Sequence, residues 1–363
     1  MRCAQASLAL YAASGNEPTA SGELSLPSFL SGAPLTQPLT HRATEALCWA
    51  LLAFAQVYAG QALASIHSGR RALALSKESK SVWVQISSTT YLAYGLLEAG
   101  EYEEALELIQ HTMALARIPL PTIVFQRFLI TLGSTYQALQ QWQEVRSTLE
   151  EAEAMAETLD LGPFRVPALS QLCMHYAEAG EWEAAYRYAV KAIVLRKSFD
   201  VALIPLDFSP QYETEAFMHG GDEQQAKEEV QRLGERLGPY RRFRLPYLQS
   251  LAVLAVWDGE SEQAIGHFRE AAEQWQIQAA LARVYEAEGL LEQAHTAFRE
   301  AATIIQGLAE GIRDEALRAR FLAGPQIQPV LQHAQSEASP VPNDHSEPSK
   351  MRPHDRESEK DVL

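Results

Sequence analysis

Asparagine is almost missing from this 363-residue chain, standing only at Asn16 and Asn343, and runs of Val, Ile and Thr are scarce. Ala, Leu, Glu and Gln take their place, which favours helix. There are three cysteines, Cys3, Cys48 and Cys173, far apart and without a CxxC pair. That pattern argues against a disulfide framework and a structural zinc site, and it suits a reducing cytosol. Cys48 and Cys173 lie in apolar helical runs and read as small buried hydrophobes. No apolar run reaches the ~18 residues of a membrane span. The longest, Ala46 to Ala55, is too short. Cations are in deficit: 30 Lys and Arg face 46 Asp and Glu, a formal net charge of -16. Such a chain repels phosphate, which counts against nucleic acid and anionic membrane as direct partners. Catalytic signatures are also absent. We find no GxxxxGK(S/T) phosphate loop, no GxSxG elbow, no HExxH and no Gly-rich dinucleotide loop. Met1 to Ser14 carries one Arg and a brief apolar patch, which makes a poor secretory signal.

With 47% hydrophobic and 21% charged residues, the chain can bury a large apolar area. Residues 1–40 are rich in Ser, Gly, Pro and Thr and read as a loop-rich lead-in. Residues 326–363 read as a disordered polar tail, too poor in apolar side chains to offset the entropy of ordering. Between them, over 41–325, the sequence repeats itself. Leu132, Gly133, Tyr136, Trp142, Leu149 and Ala152 form one copy. Leu172, Cys173, Tyr176, Gly180, Trp182, Ala185 and Ala192 form the next. Leu281, Ala282, Tyr285, Gly289, Ala294, Phe298 and Ala301 form the last. The turn positions Gly60, Gly100, Gln140, Gly180, Gly221, Gly259 and Gly289 recur about every 40 residues and close up at the end. Such a period marks a solenoid.

The pattern has physical reasons. Leu, a small residue next to it and an aromatic four positions after the Leu make one apolar face on a first helix. The small residue admits the second helix, and the glycine ends the first. Alanines seven apart keep the second helix thin. One such hairpin cannot cover its own apolar face, so neighbours must stack. Prolines 119, 121, 163, 167, 205, 210, 239 and 246 fall where hairpins should meet, punctuating helix starts and stops. The phase puts Leu132 and Tyr136 in the core and Gln137 on the concave face, where truncation should cost almost nothing.

The segments LGSTYQALQQW and CMHYAEAGEWEAAYRYAVKA resemble the tetratricopeptide repeat, over roughly residues 42–310. The long period resembles the repeat region of MalT-like bacterial regulators. GLAEGIRDEALRARFLAGPQIQPVL resembles the capped end of such arrays, with Ile312, Leu317, Phe321 and Leu322 on the last repeat and Arg313, Arg318 and Arg320 in water. The resemblance implies an all-α, right-handed superhelical solenoid, a curved rod of about seven helix hairpins with a C-terminal capping helix. It also implies a cytoplasmic protein-interaction scaffold or regulatory arm in bacterial signalling, without catalytic, cofactor or metal residues. The ATPase module of such regulators is absent from the sequence. A chaperone-type carboxylate clamp is excluded because the repeats lack asparagine.

In the repeat fold the first helices line the concave face. Carried onto this sequence, the partner-binding residues are Tyr94, Arg127, Gln137, Met174, Glu215, Gln249, Arg283 and Glu286, with Ser134 and Gln211 beside them. They suit an extended peptide or a protein helix. The alternative is a small-molecule sensor, and a pocket of clustered aromatics and acids would favour it over a long open groove. The most metal-like set, His175, Glu178, Glu215 and His219, reads as ordinary helix-surface pairing. The basic run Tyr240 to Arg244 reads as a solvated connection. Tyr102, Trp142, Trp182, Tyr136, Tyr176 and Tyr285 read as packing residues rather than a stacking platform.

Overall fold

All seven turn positions named above hold left-handed backbone in the computed structural model of the chain: φ is between 68° and 80° at the six glycines and 59° at Gln140. Only glycine takes this conformation without a steric cost, so each turn breaks one helix and starts the next. The structure describes residues 40–116, 122–158, 162–199, 209–237, 241–271 and 274–336. The lead-in before Thr40 and the tail beyond Ser336 lie outside them.

Among the described residues, seven hairpins follow one another. They pair α1 (His41–Tyr58) with α2 (Ala62–Ser79), α3 (Val82–Ala99) with α4 (Tyr102–Ala116), and α5 (Thr122–Ala138) with α6 (Trp142–Thr158). Next come α7 (Gly162–Glu178) with α8 (Trp182–Phe199) and α9 (Pro210–His219) with α10 (Glu223–Leu237). The last two are α11 (Arg241–Trp257) with α12 (Ser261–Glu270) and α13 (Trp275–Ala287) with α14 (Leu291–Glu310). Two short helices, α15 (Glu315–Leu322) and α16 (Ile327–Gln335), end the stack, and no strand occurs among the described residues. The cap is therefore two helices rather than one. The tail expected from residue 326 begins instead inside folded structure, because Ile327 and Val330 are buried on the core.

The hairpin seams follow from residue size. A Cβ added at Gly133 would lie 2.5 Å from Leu149, and one at Gly95 would lie 2.8 Å from the Ser65 hydroxyl. Alanines 105, 152, 185, 226, 264 and 301 on the second helices are fully buried. Pro210 opens α9 as expected, but Pro167 and Pro246 lie inside α7 and α11. Each is the sixth residue of its helix, just past the four free N–H groups of the first turn, and forfeits a single intrahelical bond.

The stack bends back on itself, so it is not an open rod. The Tyr58 ring at the end of α1 lies 5.5 Å from Phe243 on α11. The C-terminal segment then crosses the turns of successive hairpins. Leu308 abuts Gly100, and the Phe321 ring is 6.4 Å from Tyr102. Gly324 packs on Gln140, and the Gln326 amide donates to the Glu178 carbonyl. Glu103 on α4, nearly buried, accepts the backbone N–H of Asp314 at 3.2 Å and so caps the start of α15. Ile312, Leu317 and Phe321 are buried as expected; Arg313, expected only to face water, also pairs with Glu103 and Glu107 at 3.4 and 3.0 Å.

Candidate functional site

Because the stack bends back, the first helices of the hairpins face a half-open cavity. It has two adjoining lobes. The larger holds about 510 Å³ and is lined by Glu178, Trp182, Gln211, Tyr212, Glu215, Gln249, Val253, Trp257, Phe268, Trp275 and Arg283, with Gln326 of the cap. The smaller holds about 240 Å³ and is lined by Tyr94, Glu98, Ser134, Gln137, Gln171, Met174 and Gln249, among others. Glu178, Gln211, Tyr212, Gln249, Trp275 and Gln276 belong to both walls.

Six of the eight expected concave residues reach this cavity: Tyr94, Gln137 and Met174 in the smaller lobe, Glu215 and Arg283 in the larger, and Gln249 in both. Arg127 and Glu286 do not line it. The Arg127 guanidinium lies 5.8 Å from the centre of the Phe54 ring, and Glu286 is exposed. Gln137 departs from its expected solvated state. It is buried, and its amide donates to Glu178. The turn of each helix places these side chains at i, i+3 and i+4, so a residue one step from the core face still falls in the cavity wall.

Glu178 is the electrostatic centre. The Tyr212 hydroxyl donates to its carboxylate at 2.6 Å. Burial pushes its pKa up to about 7, against the lowering effect of the hydrogen bonds from Tyr212 and Gln137. Burial also pushes Glu215 up to about 7, with the Arg283 guanidinium pulling the other way. The Tyr212 phenol is raised well above its usual range, first by burial and then by the charge on Glu178. Beside the larger lobe the His219 ring stacks on Trp182 at 3.8 Å and meets Trp257 edge-on at 5.0 Å. Burial lowers the His219 pKa, which favours the neutral ring.

The four metal-like residues are not brought together as ligands. His175 packs on Trp142 and Tyr176, His219 on the two tryptophans, and Glu178 bonds to Tyr212 and Gln137. No group of three potential metal ligands occurs among the described residues. The basic run is not a solvated connection throughout: Phe243 is fully buried and Arg244 pairs with Glu270. Trp182 packs in the hairpin seam, as expected, and also lines the cavity. Sequence reasoning missed Tyr212, Trp257 and Trp275. Trp257 sits at the end of a first helix, two residues before its turn glycine, and that position was the available signal.

No helix of the described residues is long and apolar enough to cross a membrane. No family model matches the sequence, and no curated protein matches it. Solved structures do. Aspartyl phosphate phosphatase F from Bacillus subtilis is 14% identical with a TM-score of 0.55, over 73% of this chain and 71% of that one. A tetratricopeptide repeat protein from Parabacteroides merdae is 12% identical with a TM-score of 0.42, over 80% of this chain and all of that one. The apo form of RapI is 15% identical with a TM-score of 0.44, over 74% and 85%. In fold, the chain is a solenoid of the tetratricopeptide-repeat type.

Proposed function

We propose that this chain is a regulatory binding scaffold without a catalytic centre of its own, in which a compact ligand in the concave cavity controls how the C-terminal cap sits on the repeat stack. One observation carries the reading. Six concave residues line two adjoining, half-open lobes of about 240 and 510 Å³, aromatic and acidic and bordered by the cap, instead of a long open groove. Its size suits a small ligand or the end of a peptide rather than a protein helix. Gln326 lies in the cavity wall and holds Glu178 from the cap. A ligand there changes the contacts that join cap and stack, and with them the surface offered to a protein partner. The resemblance to MalT-like regulators supports a place in bacterial signalling in the cytoplasm, with protein or peptide partners.

A thermal-shift screen of the full chain against small metabolites tests this. A cavity ligand is expected to raise Tm by several degrees at saturating concentration. Trp257→Ala should abolish that shift while leaving the unliganded Tm close to wild type, since Trp257 is 46% exposed. Stabilisation only by large protein partners, unaffected by Trp257→Ala, would contradict the cavity reading.

A further inference from the structure

The cavity wall has an excess of acceptors, and this defines the ligand class if the cavity is the binding site proposed above. Glu178 and Glu215 present carboxylates to the larger lobe. The Gln137 side chain, 7% exposed, lies in the wall of the smaller lobe, and its Oε1 accepts no hydrogen bond. The Oε1 of Gln211, in both walls, accepts none either. A buried acceptor without a donor is costly, so a ligand that brings N–H donors to these oxygens offsets that cost. Arg283 is the single Lys or Arg among the described lining residues, and it is exposed. The apolar part of the wall includes Trp182, Trp257 and Trp275, and indole faces attract cations.

We propose that the concave cavity binds an organic cation, an alkylammonium or guanidinium group, with its charged head against Glu178 and Glu215 and its stem against Trp257 and Trp275. The head group supplies N–H donors to both carboxylates and to the glutamine oxygens. An anion would meet two carboxylates. A divalent metal would lack a third strong ligand, since no such group of three occurs among the described residues. The pair binds a cation best when ionised, and burial holds both pKa values at about 7. Binding therefore releases protons and strengthens as pH rises from 6 to 8. Tyr212 and Arg283 also act on the pair, and the Tyr212 phenol, raised well above its usual range, stays neutral there.

Calorimetric titration of the full chain decides the matter. The probes are agmatine, n-butylammonium and the tripeptide Gly-Arg-Gly, with succinate and Ca²⁺ as controls. At least one cationic probe should bind at pH 8, about tenfold more tightly than at pH 6. Combining Glu178→Gln with Glu215→Gln should weaken binding at least about tenfold without lowering Tm at pH 8. The first substitution keeps the contact, because the Gln137 amide can turn its Oε1 toward the new donor. Tighter binding of agmatine or n-butylammonium identifies a free amine as the source of the cation, and tighter binding of Gly-Arg-Gly identifies a basic peptide side chain. Binding of succinate or Ca²⁺ in place of the cations overturns the proposal, as does cation binding that the double variant leaves unchanged. If a neutral or anionic compound raises Tm and Trp257→Ala removes the effect, the cavity reading stands and the cation falls. If no cationic probe binds and no metabolite shifts Tm, both fall.

Discussion

Lys80 and Gln140 hold the left-handed backbone that glycine holds at the other turns, with φ of 56° and 59°. An L-residue there costs roughly 1–2 kcal/mol, partly offset by the smaller chain entropy it loses relative to glycine. Lys80→Gly is therefore expected to stabilise the fold by about 0.5–1 kcal/mol in urea denaturation. The converse applies at Gly180, where a Cβ would meet nothing within 4 Å. Gly180→Ala should still cost about 1 kcal/mol, through the backbone alone. The buried acids make a second prediction at this scale. The folded pKa values of Glu178 and Glu215 lie above those of the unfolded chain, so the folded state holds more protons between about pH 4.5 and 7. Their contribution to stability is fully present below the unfolded pKa and is lost as pH rises through about 7. Burial raises Glu229 too and adds the same sign. Urea midpoints at pH 5 and pH 8 should differ less in the Glu178→Gln, Glu215→Gln variant than in the wild type.

At the level of helices, phase was legible and polarity was misleading. Leu132 is buried at the expected seam, and Leu132→Ala should cost about 2–5 kcal/mol. Gln137 was expected to be expendable. Its hydrogen bond to Glu178 and its burial mean that Gln137→Ala should cost about 1–2 kcal/mol by the same denaturation, less than the core change but measurable. The turns and seams could be read because each depends on one residue's size or backbone freedom within its own hairpin. The cavity could not, because glutamines and glutamates look alike on a solvated face and on an enclosed one. Arg196 makes the same point. On α8 it is buried and donates to Glu213 on α9 at 3.0 Å, with Glu229 on α10 at 3.7 Å, partners far enough along the chain that no local pattern pairs them. Breaking such a pair strands a buried carboxylate. Arg196→Met should cost about 3–5 kcal/mol, while removing Arg196 and Glu213 together should cost less than the single change.

For the molecule as a whole, closure is the feature no local pattern announces. It joins residues more than two hundred apart in sequence, such as Glu103 and Arg313. The end of α14 and the cap cross the turns at Gly100 and Gln140 and reach Glu178, so the solenoid becomes a ring around its own concave face. Binding, in the reading proposed here, depends on that ring. Disulfide trapping tests it directly. A Cβ added at Gly324 would lie 2.9 Å from the Gln140 Cβ, close enough for small shifts to meet disulfide geometry. With Cys3, Cys48 and Cys173 replaced by alanine, Gln140→Cys combined with Gly324→Cys should oxidise rapidly to an intramolecular disulfide. The native helical signal should be retained. Two persistent free thiols in the folded, oxidised sample would mean an open stack, and would contradict the closed cavity.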